Sequence, residues 1–150
     1  PKYKRPFEYL MGLMRALDYT PRYERVFAGR VFEQLTALGH VPFHWPAPDG
    51  YPIKAAYWVQ NLLPRWNSAL NMLSSGLQGQ PNFNVLRDVV DSQPNADMLD
   101  GLSGYLFGRA LTADEKRILR DFMQTTAGTD AEKMIAGIGL MLAAPAYQMK

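Results

Sequence analysis

Two histidines, a run of aromatic side chains and one arginine are the residues of this chain whose types and spacing could do chemistry. His40 and His44 are the only histidines and stand four apart, a spacing that grips a metal ion when both lie on one face of a helix. Pro42 stands between them and excludes that helix. The next carboxylate along the chain is Asp49, so a metal would need ligands brought in from a distance. No metal site is expected, with His40 and His44 as the weaker alternative; loop histidines that cap or stack are the stronger reading. Phe43, Trp45, Tyr51, Tyr57 and Trp58, followed by Arg65, Trp66 and Asn67, set flat apolar faces beside hydrogen-bonding edges, as a sugar or peptide groove does. Trp45, Tyr51, Trp58, Arg65 and Asn67 are therefore the candidate ligand-binding residues. The competing and favoured expectation is that these rings cover the core beneath a stiff loop. In that reading Arg65, seven residues and about two helical turns beyond Trp58, faces the loop and donates to its carbonyls.

No catalytic constellation emerges. Ser68, Ser74, Ser75, Ser92 and Ser103 lack the Gly-x-Ser-x-Gly elbow of an activated serine, and no phosphate loop or Gly-x-Gly-x-x-Gly fingerprint occurs. The chain has no cysteine, which removes thiolate nucleophiles, disulfides, iron–sulfur clusters and c-type haem attachment. No cofactor is expected.

The elements that must position these residues read as helices. Phe7, Leu10, Met11, Met14 and Leu17 follow the 3.6-residue period behind Pro6, predicting a helix over about 6–17. Phe27, Val31, Leu35 and Leu38 predict a second over 22–38, ended by Gly39. Four prolines between Pro42 and Pro52 then enforce an extended, rigid loop. The helical period resumes from Val59 to Leu73, with Pro64 predicting a kink or break near Leu63. Val85, Leu86, Val89 and Val90 suggest one or two turns, and Leu99, Leu102 and Leu106 a helix over 95–107. Thr112 to Glu115 and Thr129 to Glu132 each match a capping box and open the last two helices. No segment alternates with period two. The expected fold is all-α: an irregular bundle of about six to seven helices with a proline- and aromatic-rich loop between the second and third, forming a single domain over 1–150.

Composition narrows the class of function. With 150 residues, 47% hydrophobic and 20% charged, the chain can bury a full core without covalent staples. Its 16 basic residues against 14 acidic ones are interleaved, which argues against nucleic acid. A basic excess before Arg30 and an acidic excess from Pro81 to Gly101 could face each other or meet a partner. The richest apolar stretch, Ile135 to Ala146, is too short to span a bilayer and is broken by Gly137, Gly139 and Pro145. The chain opens on Pro1 without a signal peptide, so an internal or processed fragment is expected.

Four separated pieces carry a resemblance. Lys4-Arg5-Pro6-Phe7-Glu8-Tyr9 with Leu13 to Leu17 resembles the K-x-P-x-E … L-R-A-L opening of a segment in the bacterial family called domain of unknown function 1800. Leu38-Gly39-His40-Val41-Pro42-Phe43, with Pro46, Pro48, Gly50 and Tyr51, is similar to its L-G-Q-x-P-F … P-P … G-W loop. Trp58, Arg65 and Asn67 resemble its W … R-x-N helix, and Leu142-Ala143-Ala144-Pro145-Ala146-Tyr147-Gln148 its terminal L-A-S-P-E-F-Q. His40 stands where that pattern has Gln and Tyr51 where it has Trp. Ala144 and Ala146 replace its Ser and Glu, so no role of those two carries over. The resemblance implies the C-terminal part of a larger exported bacterial protein and implies no activity. The resulting expectation is a non-catalytic helical packing or partner-binding module, soluble and periplasmic or at the cell surface. Its partners would be the N-terminal remainder of the same protein, another exported protein or a glycan. The alternative is part of a hydrolase or carbohydrate-active enzyme whose catalytic residues lie mostly outside this stretch.

Overall fold

The computed structural model describes residues 2–60, 62–74, 76–92 and 97–149. The chain runs α1 (Pro6–Ala16), β1 (Thr20–Pro21), α2 (Glu24–Ala37), α3 (Ala55–Trp58), α4 (Leu62–Leu73), β2 (Gly79–Gln80), α5 (Phe83–Asp91), α6 (Met98–Phe107), α7 (Ala113–Thr125), α8 (Asp130–Ala143) and α9 (Pro145–Gln148). Among the described residues the all-α expectation holds apart from one two-stranded antiparallel pair, in which Thr20 faces Gln80 and Pro21 faces Gly79, and an isolated bridge between Tyr3 and Met149. Two helices of four residues each, α3 and α9, raise the number above the expected six or seven. The expected helix over 95–107 begins at Met98, behind the Asp97 cap; Asn95 and Ala96 lie outside the described residues.

Local chemistry explains the boundaries. Thr112 and Thr129 accept from the amides of Glu115 and Glu132, whose side chains bond back to the threonine amides, so both capping boxes form. Helix α2 ends in a Schellman arrangement: Gly39 N–H bonds Thr36 O and His40 N–H bonds Leu35 O, both at 2.9 Å. Gly39 supplies the left-handed residue this requires, at φ 69°. The interruption foreseen near Leu63 falls between α3 and α4. Pro64 then occupies the first turn of α4, where its missing N–H has no intrahelical role.

One cluster of buried side chains fills the interior, with Leu10, Leu13, Met72, Leu102, Met141 and Leu142 among its least exposed members. Helix α4 packs on α8 and α1, α7 on α8, and α5 on α6. Where α7 meets α8, the Met123 side chain fills the space beside Gly137 that a Cβ would take, its Sδ lying 2.8 Å from that position. Helix α4 buries Arg65, Ser68, Ala69 and Met72, an i, i+3, i+4, i+7 stripe that carries a guanidinium into the core.

Candidate functional site

The proline-rich loop is held by its own rings. Tyr51 donates its hydroxyl to Val41 O at 2.7 Å, Trp58 its indole N–H to Pro52 O at 2.8 Å, and Trp45 its own to Asp49 Oδ1 at 3.2 Å. Trp45 lies 5.0 Å from Tyr51 and 6.1 Å from Tyr57, ring centre to ring centre, and Tyr57 lies 4.8 Å from Trp58. Trp58 is buried, whereas Trp45 and Tyr51 are half-buried. The loop residue turned wholly outward is Phe43, at φ 65° in the turn closed by His44 N–H to Val41 O. With Pro42 before it, Phe43 takes the position of such a turn that Gly or Asn usually fills.

His40 is delivered into the protein by the Schellman end of α2. Its Nδ1 accepts the Phe7 amide at 3.2 Å, one of the first-turn amides of α1 that has no partner within the helix. Arg5 N–H is taken by Glu8 Oε2 at 2.8 Å and Pro6 has no N–H, so cap, proline and imidazole together serve the start of α1. The bond requires a neutral imidazole at Nδ1. Burial, reinforced by the nearby Arg5 and Arg65 charges and opposed by Glu8, holds the His40 pKa below its ordinary value. The ring also sits 4.4 Å from Tyr51 and 4.9 Å from Trp58. His44 instead meets Phe32 edge-on at 5.8 Å. Among the described residues no group of three or more His, Asp or Glu side chains is placed to hold a metal.

Arg65 corrects the sequence expectation. Its donors do not go to the loop: Nη1 bonds Gln148 Oε1 and Nη2 bonds Lys4 O, each at 2.9 Å. The reason is the inward stripe of α4, which aims Arg65 at the place where the two ends of the chain meet. There Tyr3 forms a bridge with Met149, and Lys4 N–H bonds Gln148 O at 2.7 Å. Lys4 Nζ donates to Tyr147 O at 2.7 Å and lies 3.8 Å from the centre of the Tyr147 ring. The guanidinium carbon sits 4.6 Å from the Tyr3 ring centre and 5.3 Å from that of Tyr9. Tyr9 spends its hydroxyl on Arg65 O and Leu142 O, both at 3.1 Å. Burial pushes its pKa up to about 12, so it is a poor acid. Burial likewise raises the Tyr147 hydroxyl and lowers Arg65 from its usual value.

Trp58 and Arg65 thus lie inside the protein, Trp45 and Tyr51 brace the loop, and Asn67 is exposed on α4. Gln148, Lys4 and Tyr9, which complete the arginine knot, were not singled out from the sequence as site residues. The available signal was a charged residue at buried period on α4. A separate cavity of about 570 Å³ lies among α4, α7 and α8, with Trp66, Leu70, Ile118, Phe122 and Leu140 in its lining, and none of the five candidate ligand-binding residues borders it. Its charged lining residue, Glu115, is held by Arg109 at 2.7 Å and by the Thr112 amide, which draw its pKa down to about 2.

Fold and site together define an irregular all-α bundle whose chain ends are tied across a buried arginine. A family model described as protein of unknown function (DUF1800) matches residues 1–149, and the chain belongs to that family. The four motif pieces, remote in sequence, meet in space: Lys4 and Tyr9 from the first, His40 from the second, Arg65 from the third and Gln148 from the fourth. The chain is also 29% identical over 90 residues to a UPF0282 protein of Metallosphaera sedula, a match covering 60% of this chain and 29% of that protein. The chain thus spans less than a third of the length of that curated relative. No solved structure matches.

Proposed function

We propose that this chain is a non-catalytic helical module of an exported bacterial protein, used to pack against the remainder of that protein or to bind a partner. The observation that carries this reading is where the reactive-type side chains spend their hydrogen bonds. Arg65, Tyr9, Trp58 and Tyr51 all donate to main-chain carbonyls, and His40 accepts from a main-chain amide. Groups so committed position backbone; none is left as a nucleophile beside a base. The exposed apolar side chains of Phe43, Ile53, Leu63 and Leu70 support a role in contact with other protein surface. No helix among the described residues is long and apolar enough to cross a membrane.

The test is a panel of glycan and peptide binding and of ester, glycoside and peptide hydrolysis, run on the chain and on its Trp45→Ala and Tyr51→Phe variants. No turnover and no binding that depends on Trp45 or Tyr51 is expected, and the substitutions should move only the melting temperature. A turnover that disappears on replacing Trp45 or Tyr51 would instead establish the loop as an active surface of a carbohydrate-active or hydrolytic enzyme.

A further inference from the structure

We infer that the knot around Arg65 is a binding site for a carboxylate group. Arg65 is 0% exposed, yet among the described residues no Asp or Glu lies within ion-pair distance of it. The acceptors it has, Gln148 Oε1 and Lys4 O, are neutral, and the Tyr3 and Tyr9 rings offer only their faces. A buried cation with neutral partners alone is a state proteins avoid, because burial without a counter-charge is strongly unfavourable.

The hydrogen-bond census of the same place points the same way. Arg65 Nε, Gln148 Nε2, Arg5 Nε and the Tyr3 hydroxyl are four of the five buried side-chain polar atoms that find no partner among the described residues. Gln148 is 1% exposed and is already bonded through its oxygen to the guanidinium, and its side chain also meets the Tyr9 hydroxyl, so it belongs to the same pocket of polarity. Every one of these four atoms can donate, and three of them cannot accept. Arg65 therefore carries positive charge and an unspent donor and, among the described residues, has no anionic acceptor of its own, whereas the Arg5 charge is met by Glu8 at 3.8 Å. A carboxylate supplies both needs: one negative charge and two oxygens with about four lone-pair sites. The segment that covers the knot, Tyr3 to Arg5, is only half-buried and offers the route of entry.

The experiment is thermal unfolding of the chain titrated with sodium formate, against sodium chloride at matched ionic strength. A third arm uses N-acetylglutamate amide as a stand-in for an acidic side chain. A group that binds only the folded state raises the midpoint along a saturating curve. The expected result is such a curve with formate, amounting to a few degrees, over a flat chloride reference. Response to formate alone assigns the site to a small free carboxylate; response to both formate and the glutamate compound assigns it to an acidic side chain. Gln148→Glu builds the missing charge into the chain, so it should raise the midpoint without added salt and abolish the formate response. A formate curve superimposable on that of chloride in the unaltered chain overturns the inference. That comparison decides the matter even where the Gln148 variant does not fold.

Discussion

Acidification through the range just below pH 6.5 should destabilise this chain through His40. The imidazole accepts the Phe7 amide only when Nδ1 is unprotonated, and burial with Arg5 and Arg65 nearby lowers its pKa in the folded state. The unfolded chain retains the ordinary value of about 6.5. Between that value and the lower folded one, the unfolded state binds more protons, so stability falls as pH falls and levels off once both states are protonated. Removing the side chain altogether shows what it contributes. His40→Ala leaves a part-buried amide without an acceptor, about 1–3 kcal/mol, and forfeits ring contacts with Tyr51 at 4.4 Å and Trp58 at 4.9 Å, about 0.5–1.5 kcal/mol each. The total of about 2–6 kcal/mol corresponds to a midpoint lower by roughly 4–24 °C for a chain of this size. His40→Gln restores an acceptor that does not titrate, which is the residue the family pattern places here. It should lose only the roughly 1–3 kcal/mol of ring packing and show a flatter stability profile just below pH 6.5. Denaturant unfolding at several pH values is the assay. Identical slopes in the two proteins would refute the reasoning.

Thr112→Ala and Thr129→Ala should each reduce stability by about 1 kcal/mol in chemical denaturation, because each removes a side-chain acceptor for a helix amide. Phe43→Asn should raise the thermal midpoint by roughly 2–4 °C: it relieves about 1 kcal/mol of left-handed strain at a residue whose side chain is fully exposed and held at φ 65°. Glu115, held at about 2 by Arg109 and the Thr112 amide, contributes stability that is present above its ordinary value and lost as pH falls from about 4.5 toward 2. An acid titration of Glu115→Gln should lack that part of the loss.

How far the sequence revealed the structure follows the range of each interaction. The capping boxes at Thr112 and Thr129 are closed within three residues, so α7 and α8 start where the residue types require. The end of α2 was legible for the same reason, since Gly39 alone supplies the left-handed turn. Helices α3 and α9 span four residues, too short to display a period. The pairing of Thr20 with Gln80 joins positions sixty apart through two-residue strands, which leave no alternation to detect. At the site, the bracing of the loop by Tyr51 and Trp58 was readable because donor and acceptor lie ten and six residues apart. The partners of Arg65 were not, since Lys4 lies 61 residues away and Gln148 lies 83. The seven-residue interval to Trp58 suggested a shared face, but burial of Arg65 with Ser68, Ala69 and Met72 decided its direction.

The central claim is that Arg65 acts on the fold by tying the two ends of the chain to α4. A double-mutant cycle between Arg65→Lys and Gln148→Ala, followed by chemical unfolding, tests it most directly. An ammonium cannot hold both Gln148 Oε1 and Lys4 O in the plane of a fork, so Arg65→Lys should lose about 1.5–3 kcal/mol, the value of a charged hydrogen bond. Gln148→Ala should also destabilise. The double variant should be more stable than the sum of the two losses implies, by about 0.5–3 kcal/mol of coupling. Losses that simply add, or an Arg65→Lys variant as stable as the unaltered chain, would contradict the account.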